Sequence, residues 1–136
     1  MMSDSVVTTI VVAACIWGLA AAGESRASSA YPNKPIRIIV PVAPGGGTDF
    51  TARFIGQKLN EAWGQPIIVD NRPGAAGNRG VEVVSKAPAD GYTLLMSITS
   101  FSSNPSIYEK LPFDTENDFA PIILVASAPL LLVVNP

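Results

Sequence analysis

Two stretches of this chain combine residue types and spacing suited to holding an anion: Pro44-Gly45-Gly46-Gly47-Thr48-Asp49 and Pro73-Gly74-Ala75-Ala76-Gly77-Asn78-Arg79-Gly80. Each follows a short apolar, β-branched run (residues 36–42 and 67–69), and each opens a stretch with helical spacing. A strand that breaks into a glycine turn and then a helix leaves the first N–H groups of that helix without internal partners. Those donors sit at the positive end of the helix dipole and together form a seat for an anion. Two such seats in consecutive β-α units lie side by side at the carboxyl edge of a parallel sheet, where open α/β sheets bind ligands. The turns offer donors but no nucleophile paired with a base, so the chemistry expected is binding of a small anion, not catalysis.

Plainer readings stand beside these. Glycine commonly serves only to supply backbone conformations that other residues avoid. Three in a row ahead of Thr-Asp exceed what one tight turn requires. The second stretch spaces Gly74, Gly77 and Gly80 as G-x-x-G-x-x-G, which is not the dinucleotide fingerprint, and no P-loop Gly-Lys-Ser/Thr occurs. Gly80 has the alternative task of letting its helix pack closely on the sheet. Thr48 or Asp49 can cap the first helix, and Asp49 can instead contact a ligand. Arg79 opposes the dipole of the second helix, as a ligand contact or as a solvated surface arginine.

The elements that must position these turns are legible in the hydropathy pattern. A strand over 36–42 precedes a helix over 48–63, with Phe50, Phe54, Ile55, Leu59, Ala62 and Trp63 on one inward face and Gly64 as its stop. A second strand over 66–69, a turn over 70–73 and a helix over 77–87 follow, the helix with Val81, Val84 and Ala87 inward and Pro88 as its stop. Residues 92–96 read as a third strand. This alternation implies right-handed β-α-β units and a mainly parallel sheet flanked by helices, an α/β fold. The hydroxyl-rich stretch 97–105 falls beyond the third strand's carboxyl end, beside the glycine turns, as a polar loop or a ligand contact. After irregular residues 107–118, the apolar runs 122–126 and 130–134 read as two more strands.

The candidate ligand-binding residues are therefore Gly45, Gly46, Gly47, Thr48 and Asp49 in the first turn, and Gly74, Ala75, Ala76, Gly77 and Asn78 in the second. Ser97, Thr99 and Ser100 complete the set at the third strand's end.

Composition narrows the function classes. Residues 6–22 are almost wholly apolar and small, and polar then small residues lead to Ser28-Ser29-Ala30, a small-x-small site before Tyr31. That order describes a secretory signal peptide over 1–30, although the segment carries Asp4 and no Lys or Arg ahead of the apolar run. The run is shorter than the roughly 20 residues needed to span a bilayer core. Cys15, the only cysteine, follows Val12-Ala13-Ala14 like a lipoprotein box, yet the apolar run continues past it. From Tyr31 onward there is neither cysteine nor histidine, which excludes disulfides, thiol nucleophiles, histidine bases and the commoner zinc sites. Eight basic residues (all nine but Arg26) meet nine acidic ones (all eleven but Asp4 and Glu24) in that part, with no basic run. Nucleic acid is not an expected partner.

Longer motifs then point to a family. Tyr-Pro-Asn-Lys-Pro-Ile-Arg-Ile-Ile-Val-Pro (31–41), the first glycine turn (44–49) and Val-Asp-Asn-Arg-Pro-Gly-Ala-Ala-Gly-Asn (69–78) occur together. With them come Ala-Pro-Ala-Asp-Gly-Tyr-Thr-Leu-Leu (87–95), Asn-Pro-Ser-Ile-Tyr-Glu-Lys-Leu-Pro-Phe-Asp (104–114) and Asp-Phe-Ala-Pro-Ile (118–122). In these the chain resembles the extracytoplasmic solute receptors of tripartite tricarboxylate transporters, the Bug family. The resemblance implies a periplasmic-binding-protein-like α/β domain over 31–136, the first of two, with the chain truncated before the second. It also implies a periplasmic location, small carboxylates as solutes, the membrane components of the transporter as partners, and no cofactor. The solute's carboxylate would meet backbone amides at Gly46, Gly47, Ala76 and Gly77, with Thr48, Asp49 and Asn78 adjacent. With one jaw of the cleft, the 136 residues are expected to bind solute weakly or not at all. The alternative is a fragment of an α/β enzyme that uses the turns for a phosphate or nucleotide.

Overall fold

A computed structural model of the chain describes residues 31–127 and 132–133. The expected signal peptide over 1–30 lies outside the described residues. The order is β1 (Ile36–Val40), α1 (Gly47–Trp63), β2 (Ile67–Asn71), a 3-10 turn (Ala75–Gly77), α2 (Asn78–Ser85), β3 (Thr93–Leu95) and α3 (Ser100–Ile107). The three strands form one parallel sheet in the order β2-β1-β3. Ile36 pairs with Ile67 and Val40 with Asn71 on one side of β1, and Arg37 pairs with Thr93 on the other. The bonds Arg72 N–H to Val40 O (2.8 Å) and Met96 N–H to Ile39 O (2.9 Å) carry both ladders to the carboxyl edge.

From β1 the chain steps one way to β2 and then crosses back over β1 to reach β3. Right-handed crossovers that run in opposite directions place α1 and α2 on opposite faces. Strand β1 is covered on both: Ile36, Ile39 and Val40 are fully buried. Ile38 and Val40 form the core cluster with Ala52 of α1, and Val42, Ile67, Val69, Leu94 and Met96 pack around them. Ile39 alternates to the other face, where α2 packs on β1 and buries Val81. The α/β architecture and the parallel sheet expected from the alternation are present.

The inward face of α1 differs from the expected one. Phe50, Phe54 and Trp63 are exposed, as is Ala62, while Ile55 and Leu59 are half-buried. Asp49, Ala52 and Gly56 are the buried residues. These small residues let the helix approach the sheet until a Cβ on Gly56 would lie 3.1 Å from Ile67 Cγ2. The aromatic rings cannot share so narrow a seam; Phe50 and Phe54 stack on each other outside it, centroids 6.4 Å apart. The strand expected over 122–126 is absent, because the run pairs with no neighbour and leaves Ile122, Ile123 and Leu124 exposed. Of 130–134, only 132–133 are described, and they form no strand. Residues 100–107 fold as a helix within the stretch read as an irregular polar loop.

Gly80 does let α2 pack closely: a Cβ there would meet Pro41 Cα at 3.0 Å and Arg72 O at 3.1 Å, both backbone atoms that cannot step aside. Gly80→Ala should therefore lower stability by about 1–3 kcal/mol, read as a drop in thermal midpoint. By contrast Gly46→Ala meets nothing within 4 Å and has an ordinary φ of −83°, so its midpoint should fall by clearly less than that of Gly80→Ala.

Candidate ligand-binding site

The first turn is built from β1 outward. Asn71, the last residue of β2, donates through Nδ2 to Val42 O (3.1 Å) and to Asp49 Oδ1 (2.9 Å), tying the turn to its neighbouring strand. The first α-helical bond of α1 runs from Phe50 N–H to Gly46 O at 2.9 Å. The N–H groups of Gly46, Gly47, Thr48 and Asp49 precede it and have no partner among the described residues. The side-chain cap expected from Thr48 or Asp49 does not form; Gly46 is the N-cap and no side chain bonds there.

Asp49 has a different task. Only 4% exposed, its carboxylate accepts Gly45 N–H (2.9 Å), Asn71 Nδ2 and Arg53, whose Nε lies 3.0 Å away. The Arg53 bond, then the Gly45 N–H and Asn71, hold its carboxyl at about 2, against the opposing effect of burial. Both oxygens are thus turned into the protein, and the carboxylate shapes the loop from beneath. The glycines above it are not explained by packing: no atom lies within 4 Å of a Cβ built on Gly45, Gly46 or Gly47. Only Gly45, at φ +90°, needs glycine for its conformation. At Gly46 and Gly47 neither conformation nor internal contact accounts for the missing side chain.

The second turn holds four successive left-handed residues: Gly74 (φ 127°), Ala75 (50°), Ala76 (52°) and Gly77 (91°). A non-glycine residue there costs on the order of 1–3 kcal/mol and persists only where its surroundings impose it. Gly77 N–H bonds Gly74 O at 3.0 Å and Asn78 N–H bonds Ala75 O. Gly77 therefore differs from the donor role the resemblance implied, since its N–H is already used. The N–H groups of Ala75 and Ala76 have no partner among the described residues. Successive outward amides of this kind form an anion-binding concavity. Asn78 is 7% exposed and faces inward, its Oδ1 accepting Asn104 Nδ2 at 2.6 Å.

The three strand ends converge. A Cβ on Gly77 would touch both Pro41 Cβ, which follows β1, and Ile98 Cδ1, which follows β3, each at 3.4 Å. Ser100 donates to Ala76 O at 2.8 Å, while Thr99 is exposed at the start of α3 and Ser97 Oγ reaches only Ile98 O at 3.4 Å. Arg53, Asn71 and Asn104 were absent from the residues expected at the site. Arg53 was accessible to sequence reasoning, four residues beyond Asp49 on one helix. Asn104 was hidden by reading its helix as a loop, and Asn71 by assigning it to a turn.

A three-stranded parallel sheet with helices on both faces thus gathers the glycine turns at its carboxyl edge, where open α/β sheets bind ligands. Residues 51–136 match the family described as the tripartite tricarboxylate transporter family receptor, and the chain belongs to that family. Protein BugT of Bordetella pertussis is 42% identical over 122 residues, 87% of this chain and 37% of that protein. An R. palustris protein solved with adipate is 36% identical, with a TM-score of 0.60 over 62% of this chain and 29% of that one. MatC from Rhodopseudomonas palustris, solved with bound malate, is 31% identical, with a TM-score of 0.62 over 70% of this chain and 33% of that one. The chain thus spans about a third of the length of these relatives. The family comprises receptors, and the alternative of an enzyme fragment falls with that assignment.

Because the Asp49 carboxyl is held below its usual 3.8, its contribution to stability is present above that value and is lost as pH falls towards 2. Asp49→Asn should lower the thermal midpoint at neutral pH. It should also flatten the decline between about pH 4 and pH 2 in a melting series.

Proposed function

We propose that residues 31–136 form the amino-terminal domain of a periplasmic solute receptor. It would take small carboxylates for a tripartite tricarboxylate transporter and be secreted through the signal peptide over 1–30. One carboxylate of the solute lies across the two turns and accepts from the N–H groups of Gly46, Gly47, Ala75 and Ala76. Gly45, Thr48, Gly74, Gly77 and Asn78 shape that seat, Asp49 braces it from below, and Ser97, Thr99 and Ser100 border it. The observation that carries this reading is the empty space over Gly46 and Gly47, where neither fold nor packing requires glycine. Leaving out a side chain at such a position lets a ligand approach the backbone closely. The free amides at two neighbouring turns support it, as do relatives solved with the dicarboxylates adipate and malate.

A single face of donors open to water binds far less tightly than an enclosed pocket. Titrating the purified chain with malate or citrate should move the amide resonances of residues 45–48 and 75–77, with a dissociation constant near the millimolar range. Sub-micromolar affinity, or shifts confined to other residues, would overturn the assignment. Gly47→Asp places a carboxylate in the seat without an internal clash, so those shifts should vanish while the folded spectrum persists.

A further inference from the structure

We infer that Asn104 is the positioning residue of the second turn, an assignment that rests on reading that turn as a carboxylate seat. It is the one buried residue of α3, at 2% exposure. A short surface helix that buries one side chain against its support ordinarily buries an apolar one, since an amide removed from water is costly unless bonded. Here the amide finds its partners in the turn. Nδ2 donates to Asn78 Oδ1 at 2.6 Å and lies 3.3 Å from Ala76 O. One side chain therefore grips the turn at Ala76, whose φ is 52°, and at the first residue of α2.

The conformation of Ala75 and Ala76 decides where their amides point. Relaxing either to negative φ would swing the peptide plane and redirect the N–H groups proposed as donors. The Ala76 carbonyl shares its peptide plane with Gly77 N–H, so gripping it fixes the far side of Ala76 and with it that residue's left-handed backbone. It takes two side-chain donors: Ser100 Oγ, partly open to solvent, and the buried Asn104 Nδ2. Of these two donors only Asn104 also binds Asn78, the first residue of the helix that follows. It touches no solute itself; it acts through Ala76.

Asn104→Asp keeps the shape and replaces the donor with an acceptor facing two acceptors. Amide spectra and malate titrations of the chain should compare wild type, Asn104→Asp and Ser100→Ala. The aspartate variant should shift the free-state resonances of residues 75–78 and leave those of 45–48 in place. It should also raise the malate dissociation constant about fivefold or more, with Ser100→Ala giving a smaller change. If Asn104→Asp fails to fold, Asn104→Ala is read by the same criteria. Unchanged resonances at 75–78, or malate affinity within about twofold of wild type, would overturn the assignment. A wild-type chain blind to malate and citrate would sink the proposed function instead, and the free-state resonances would still decide whether Asn104 sets the turn.

Discussion

Strand β1 has a parallel neighbour on each edge and a helix on each face, and this placement governs everything built on it. Because all three strands run the same way, the segments after Val40, Asn71 and Leu95 emerge at one edge. Because the β1–β2 and β2–β3 crossovers run in opposite directions, the helices they carry lie on opposite faces, the arrangement at which open α/β sheets bind ligands. Pro41 and Ile98 lie where a Cβ on Gly77 would meet them, so the three segments come together there. The site is thus a consequence of topology first and of side chains second.

Within that frame each glycine turn is fixed by a side-chain amide supplied from outside it. Asn71 reaches from the end of β2 to the first turn, and Asn104 reaches from α3 to the second. The carboxylate of Asp49 gathers Gly45 N–H, Asn71 and Arg53 beneath the first turn in the same way. Backbone donors are useful to a ligand only if the loop carrying them is already ordered, since ordering it on binding would subtract from affinity. The polar residues buried at this edge are those that do the ordering.

The fold was legible because its signals are local. Apolar β-branched runs, a glycine stop at Gly64 and the break at Pro88 mark strands and helices without knowledge of the rest of the chain. Which face of α1 turns inward was not legible from hydropathy, since the seam is set by the close approach of Ala52 and Gly56 to β2 and not by the largest apolar side chains. The strand expected over 122–126 failed for a related reason: β-propensity needs a ladder partner, and the described residues provide none there. The glycine turns could be found from composition, and Gly80's close contact from its spacing. The left-handed pair Ala75–Ala76 and the buried grip of Asn104 could not, because alanine carries no sign of positive φ and an asparagine among serines looks like a loop.

The pairing of Asp49 with Arg53 has an effect beyond shaping its loop. The two opposite charges offset each other under the first turn, so that turn offers oriented dipoles with little net monopole of its own. Mobile counterions screen fixed charges over about 8 Å at physiological ionic strength but have little purchase on amides in direct contact with a bound group. Contacts to the first turn would hold their strength as ionic strength changes, where a cluster of bare cations would not.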